Sequence, residues 1–311
     1  MVRSVGCRFL PLVMVIAVAV LVGGRPAQAA RSPHDGEAGR ALTVFAAASL
    51  KEAFTTIGAQ FEVHDRAKVT FNFGGSDELV TQIAQGAPAD VFASANLTQM
   101  KIAQDKGLIA SRPAVFARNR LVVIVPRNNP GYVSRLRDLG RPGVRLVLAA
   151  PQVPAGKYAR AALAAMAHDA AFGPHFLARA MANVASNETD VKAVVAKVVL
   201  GEADAGVVYV TDITAQVVPR VHTIAIPARF NQIAQYPIAV VKGSRNPALA
   251  HTFVAYVLSP AGQSVLQRSG FLSGDRRQAT GDRELPPIAY RLPPTAYRVA
   301  YPRAVSVVGA P

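Results

Sequence analysis

From Ala41 to about Gly270, short runs rich in β-branched residues alternate with longer amphipathic stretches. Runs of apolar residues between turn residues mark strands, and apolar residues recurring every third or fourth position mark helices. The clearest strands fall at 42–47, 68–73, 90–94, 119–126, 143–150, 205–210 and 236–241, and the helices at 49–63, 76–85, 97–106, 157–168, 189–200 and 246–257. Several helices close on glycine or run into proline, as at Gly86 ahead of Pro88, Gly107 and Gly201. Strands alternating with helices specify an α/β fold built on mostly parallel sheets. No repeat of fixed period is present, although two strand–serine–helix units share one design.

The pattern breaks at both ends of the chain. Arg3 and Arg8 precede the apolar run Phe9 to Val22, and Ala27-Gln-Ala29 follows it, so residues 1–29 read as a secretory signal peptide cleaved near Ala29. Pro11 interrupts that run, which is short for a membrane span. Cys7 is the only cysteine and lies ahead of the apolar run, where it cannot serve a lipid-anchor signal; a soluble, exported product is expected. Without Cys7 the processed chain has no thiol, which excludes disulfides, cysteine nucleophiles and thiolate metal sites. Residues 272–311 carry six arginines, three tyrosines and two proline pairs with neither helical nor strand period, and read as an extended or disordered tail.

Half of the 311 residues are hydrophobic, ample for one large or two medium domains. The net charge of +15 includes +3 from the leader and +3 from the tail, leaving +9 for the core. Its basic residues are not interleaved with aromatics and tryptophan is absent, so no nucleic-acid partner is expected. A diffuse positive field would speed the arrival of small anions.

Candidate chemistry sits at the junctions of strands and helices. Leu42-Thr-Val-Phe-Ala-Ala-Ala-Ser49 and Val69-Thr-Phe-Asn-Phe-Gly-Gly-Ser76 each run from a strand through small residues into a serine that opens a helix. Small residues let a ligand approach the backbone, first-turn N–H groups point at it, and the hydroxyl adds a donor. The competing reading makes each serine an N-cap, and Ser49-Leu-Lys-Glu52 fits a capping box. Ala150-Pro-Gln-Val-Pro-Ala155-Gly156 and Asn187-Glu-Thr-Asp190-Val191 repeat the logic, each able to aim a backbone N–H from Ala155 or Val191, with Thr189 or Asp190 as a cap. Tyr209 ends an apolar strand, where open α/β sheets hold ligands; it is either a further donor or a packing aromatic. Catalytic patterns are absent: there is no G-x-S-x-G, H-E-x-x-H or P-loop, and the histidines stand singly.

Six segments in order carry a family resemblance: Ala46-Ala-Ala-Ser49-Leu50, Gly75-Ser76-x-x-Leu79-x-x-Gln-Ile83, Gly86-Ala-Pro-Ala-Asp90-Val-Phe-Ala-Ser94-Ala, Val153-Pro-Ala-Gly156-x-Tyr158-Ala, Asp190-Val-Lys192 and Gly201-Glu-Ala-Asp-Ala-Gly-Val-Val-Tyr209. From about Ala41 to Phe271 the chain resembles the periplasmic molybdate-binding proteins of ABC transporters. The resemblance implies a two-lobed type II binding-protein fold, each lobe a mixed, mostly parallel sheet flanked by helices. Lobe 1 would comprise 41–121 plus 240–271 and lobe 2 122–239, with crossings near Asn119–Val123 and Tyr236–Val240. It places oxyanion ligands at Ser49, Ser76, the backbone at Ala155 and Val191, and Tyr209. It further implies a periplasmic monomer, no enzyme activity, no cofactor, and no free cation bound by side chains. The ligand would be molybdate or tungstate, with molybdenum held as the oxyanion, and the partner an ABC permease in the inner membrane. The alternatives are a binding protein for sulfate or another tetrahedral oxyanion, an exported serine-dependent enzyme, and a surface-interaction protein working through its basic tail. The tail lies outside the resemblance, and Gly74-Gly75 stands where some relatives are serine-rich.

Overall fold

A computed structural model describes residues 40–274. The expected signal peptide, and the tail beyond Gly274, lie outside the described residues. In chain order the elements are β1 (Ala41–Ala47), a 3-10 turn (Ala48–Leu50), α1 (Lys51–Asp65), β2 (Lys68–Gly74), α2 (Ser76–Ala84), β3 (Val91–Ala93), α3 (Leu97–Asp105), β4 (Ala114–Asn119), β5 (Leu121–Pro126) and β6 (Leu146–Ala149). There follow α4 (Pro154–Ala167), α5 (Phe176–Ala182), β7 (Val184–Glu188), α6 (Val191–Val199), β8 (Ala205–Tyr209), β9 (Val221–Ala225), β10 (Ala234–Val240), α7 (Pro247–Leu258), α8 (Pro260–Arg268) and β11 (Leu272–Ser273).

Two sheets define two lobes. The first has the order β11-β4-β10-β3-β1-β2 and the second β7-β6-β8-β5-β9. Alternation along β1 explains how the first is covered on both faces. Leu42, Val44 and Ala46 join Phe54, Ile57 and Phe61 of α1 and Phe253 of α7, whereas Phe45 joins Leu79 and Ile83 of α2 and Met100 of α3. The α1 face is aromatic: Phe61 and Phe253 meet edge to face at 5.2 Å, and Phe54 lies 5.6 Å from Phe116. Strand β5, Leu121-Val-Val-Ile-Val-Pro126, is buried at every position, as the interior of a sheet covered on both sides requires.

The sheets are mixed, but parallel pairs do not predominate. β1 pairs in parallel with β2 and β3, and β6 with β7 and β8. Every antiparallel pair involves β4, β5 or β10, strands that border the crossings between lobes. The chain first crosses at Arg120, which alone separates β4 from β5, inside the expected 119–123. The single strand expected over 119–126 is therefore two strands in different sheets. Tyr236–Val240, the expected second crossing, is instead the body of β10 inside the first sheet, and the chain returns through residues 226–233. Alternation explains the misreading: Tyr236, Ile238 and Val240 pack in the main core, so a stretch that reads as a β-rich hinge is a central strand. The expected tail also begins too early, because Leu272 and Ser273 pair with β4. No helix among the described residues is long and apolar enough to cross a membrane.

Candidate functional site

The carboxyl ends of β1, β2, β6 and β8 open on one small cavity. It is lined by Ser49, Ser76, Ala155, Val191 and Tyr209, together with small residues including Ala47, Ala48, Gly74, Gly75 and Ala95. All five residues singled out in the sequence are thus brought together. Ser49 and Ser76 come from the first lobe and the other three from the second.

Neither serine is a helix cap. Ser49 lies in the 3-10 turn between β1 and α1, no side chain caps either helix, and its Oγ is 2.9 Å from the Tyr236 hydroxyl. The capping box expected with Glu52 is absent, because the Glu52 carboxylate accepts hydrogen bonds from Lys192 of the other lobe at 2.8 and 2.9 Å. Ser76 is the first residue of α2, one beyond the cap position held by Gly75, and its Oγ accepts the Ala95 N–H at 3.0 Å. Both side chains are buried.

The second lobe contributes backbone. Pro154 opens α4 and carries no N–H, so Ala155 presents the first amide of that helix. Gly156 lets α4 abut β6: a Cβ there would fall on the carbonyl oxygens of Ala149 and Ala150. Arg160 ties the same parts together by donating to the carbonyls of Ala149 and Gly156 at 2.7 and 3.0 Å. At α6 the cap is Asp190, not Thr189. Its carboxylate accepts the N–H groups of Lys192 and Ala193 at 2.6 and 3.0 Å, which leaves the Val191 N–H outside the capping bonds. Three helix N-termini, of α2, α4 and α6, meet at the cavity, and each brings partial positive charge.

Tyr209 ends β8 with its hydroxyl buried and without a hydrogen-bond partner. Burial, followed by the neighbouring phenols of Tyr236 and Tyr158 and then the Asp212 carboxylate, pushes its pKa well above the ordinary tyrosine value, so the phenol keeps its proton and remains a donor. An orphaned buried O–H is costly unless something fills the cavity. Among the described residues no lysine, arginine or histidine lines this space, and the one carboxylate that does, that of Asp190, uses one oxygen to cap α6. No cluster of His, Cys, Asp and Glu among the described residues could hold a metal ion. The chemistry on offer is a set of neutral N–H and O–H donors.

Several supporting residues escape a sequence reading. Asp212 is fully buried behind Tyr209, accepts the Tyr209 N–H at 2.9 Å and lies 3.3 Å from the Lys192 ammonium. Burial pushes its pKa up to about 6 despite Lys192. Burial also works against the Lys192 ammonium, but Asp212 and Glu52 outweigh it and hold that pKa above the usual value. Further contacts span the lobes: Gln99 Nε2 donates to the Gln152 carbonyl at 3.2 Å and Lys157 Nζ to Thr98 Oγ1 at 3.2 Å. Tyr236 and Asn119 are buried beside Ser49, whose Oγ the Tyr236 hydroxyl contacts. Only pairing in space could reveal them, since an aromatic residue within a strand reads as core.

The family model for bacterial extracellular solute-binding proteins matches residues 42–272. The molybdate-binding protein ModA of Mycobacterium tuberculosis is 40% identical over 270 residues, covering 85% of this chain and 98% of that protein. Among solved structures, the periplasmic molybdate-binding protein of Azotobacter vinelandii aligns with a TM-score of 0.64 at 20% identity, covering 74% of this chain and 98% of its own. The sulfate-binding protein SubI of Mycobacterium tuberculosis aligns with a TM-score of 0.68 at 19% identity, covering 77% and 89%. At such identities the two structures speak for the fold alone.

Proposed function

The chain belongs to the family of bacterial extracellular solute-binding proteins, and from that premise we propose that it captures molybdate, and tungstate with it, in the periplasm and delivers it to an ABC permease. The proposed ligands are the hydroxyls of Ser49, Ser76 and Tyr209 and the backbone N–H groups of Ala155 and Val191. The observation that carries this reading is the buried Tyr209 hydroxyl, unpartnered among the described residues, in a cavity of donors that none of their lysines, arginines or histidines lines. A dianion surrounded by fixed dipoles exchanges its hydration shell for charge-assisted hydrogen bonds, each contributing roughly 1.5–3 kcal/mol. Because the donors come from both lobes, only the closed form completes the set, so the ligand shifts the population toward closure. Closure is then the signal to the permease.

An all-donor shell also discriminates. An oxyanion that carries a proton presents an O–H to backbone N–H groups that can only donate and to hydroxyls whose own protons are directed at the anion, which leaves a repelled, unsatisfied proton in a dry site. Phosphate is therefore disfavoured by charge state, whereas sulfate must be excluded by fit. The fold is shared with a sulfate-binding protein, so the ligand panel decides.

Thermal unfolding of the processed protein with molybdate, tungstate, sulfate and phosphate in turn tests the proposal. Molybdate at a hundred times its Kd should add about 2.7 kcal/mol to stability. Ser49→Ala and Ser76→Ala should each weaken molybdate at least about tenfold, the loss of one charge-assisted bond, while remaining folded. Stabilisation by sulfate at equal concentration, or serine variants with unchanged affinity, would overturn the assignment.

A further inference from the structure

We infer that Tyr236, oriented by Asn119, locks the Ser49 hydroxyl as a donor and so enforces selection against protonated oxyanions; this rests on the oxyanion reading above. The Asn119 side-chain oxygen accepts the Arg120 N–H at 2.9 Å, so its NH2 group faces the other way. That NH2 donates to Thr211 Oγ1 at 2.7 Å and to the Tyr236 hydroxyl at 3.4 Å. An amide nitrogen cannot accept, and the Tyr236 oxygen therefore does. The Tyr236 proton is left to find an acceptor: Ser49 Oγ lies 2.9 Å away, whereas the other hydroxyl beside it, that of Tyr209, makes no hydrogen bond of acceptable geometry among the described residues. Having accepted there, Ser49 must send its own proton elsewhere, and its side chain lines the cavity.

Ser76 reaches the same state by another route, since its Oγ already accepts the Ala95 N–H. Both hydroxyls thus meet the cavity with an acceptor site taken and a proton to give. A serine without such a partner could rotate and accept the proton of a hydrogenphosphate. The Asn119–Tyr236–Ser49 chain occupies one of the two acceptor sites of Ser49 and so biases that serine toward donating. Tyr236 is a positioning residue, acting through Ser49. Packing holds its ring, which meets Phe271, Tyr209 and Phe116 edge to face at 5.4, 5.9 and 6.3 Å, so a phenylalanine would keep the same shape.

The test is calorimetric titration of wild type, Tyr236→Phe, Ser49→Ala and the double variant with molybdate, and with phosphate read by displacement of molybdate at neutral pH. Tyr236→Phe should weaken molybdate about tenfold and narrow the molybdate-to-phosphate affinity ratio by about tenfold or more, the effect of one charge-assisted hydrogen bond. In the Ser49→Ala background the same substitution should change neither quantity more than about twofold, as expected when one residue acts only through the other. Asn119→Asp, which turns the donor into an acceptor at the same shape, should narrow the same ratio and serves if Tyr236→Phe does not fold. An unchanged ratio in these variants, or an equal loss with and without Ser49, overturns the inference while leaving the oxyanion reading intact. Wild type that does not bind molybdate overturns both.

Discussion

At the scale of single residues, the site depends on polar groups held in states they would not choose in water. Tyr209 keeps an unpaired O–H in the interior, and Asp212 behind it keeps a carboxyl whose pKa burial pushes up to about 6. The raised value has a definite sign for stability. Below the ordinary carboxylate pKa both folded and unfolded chains hold the Asp212 proton; between about 4 and 6 the unfolded chain has released it and the folded chain has not. Rising pH therefore favours unfolding through that window, by about 3 kcal/mol in all for a shift of this size, and has no further effect above it. Asp204 works in the opposite direction and at lower pH: burial opposes its charge, but the hydrogen bonds and charge of Arg145 prevail and hold it below the usual range. Melting the ligand-free protein beside Asp212→Asn isolates the effect. The stability of wild type relative to the variant should decline from pH 4 to pH 6 and then level, and a constant difference would mean that Asp212 does not titrate there. Asp212 was not legible in the sequence, because Asp three residues after a strand-ending Tyr looks like an ordinary turn. Its partner Lys192 becomes visible only when α6 is laid against the 3-10 turn after β8.

At the scale of elements, the legible features were those written locally. Each junction at which a strand passes through small residues into a helix is readable, because the steric need for Ala, Gly or Pro is met within a few positions. Hence Ser49, Ser76, Ala155, Val191 and Tyr209 could be singled out and are found lining one cavity. What local sequence could not convey is how the serines are used. The Ser49–Tyr236 contact joins residues 187 positions apart, and the capping-box pattern with Glu52 offered a nearer but incorrect partner. The strand over 236–241 is present as β10, but the crossing expected there is not, since its alternation fits a hinge strand and a central strand equally until its neighbours are known. Gly156 tests the logic of junctions. Its φ is that of an ordinary helix and any residue could adopt it, but a methyl group would collide with the Ala149 and Ala150 carbonyls. Gly156→Ala must therefore push the start of α4 off β6. Overpacking of this kind costs roughly 1–3 kcal/mol, and because it displaces the Ala155 amide it should also weaken molybdate by at least about tenfold, one lost hydrogen bond to a charge. Urea unfolding and calorimetry on the same preparation would check both effects; a destabilised variant of unchanged affinity would remove the Ala155 amide from the site.

At the scale of the whole molecule, the proposed coupling of ligand binding to lobe closure would let a residue govern affinity without touching the ligand. Gly75 caps α2 in the first lobe, with φ −61° and ψ 135°, a conformation open to any residue. Within its own lobe the nearest atom to a methyl group would be Asp77 Oδ1, at 2.9 Å, at the end of a side chain. The obstacle is in the other lobe, where the Thr189 carbonyl oxygen would stand 2.6 Å from that methyl carbon, closer than real contacts allow. Thr189 is fixed in turn, because Asp190 beside it caps α6 and α6 carries Val191 and Lys192. Gly75→Ala should therefore leave the ligand-free protein as stable as wild type, or slightly more stable through the reduced entropy of its unfolded chain. Full closure would be obstructed in it, and the donors of the second lobe held back from the first. Closing is favourable only by what the ligand gains from the closed state over the open one. A wedge that costs about 1.4 kcal/mol at closure consequently appears as about tenfold weaker binding, expressed mainly as faster release. Stopped-flow release of molybdate, set beside the ligand-free melting temperature, separates this from damage to the fold. Faster release at an unchanged melting temperature is the expected pair of results, and unchanged release would mean that the two lobes do not need to approach this closely to hold their guest.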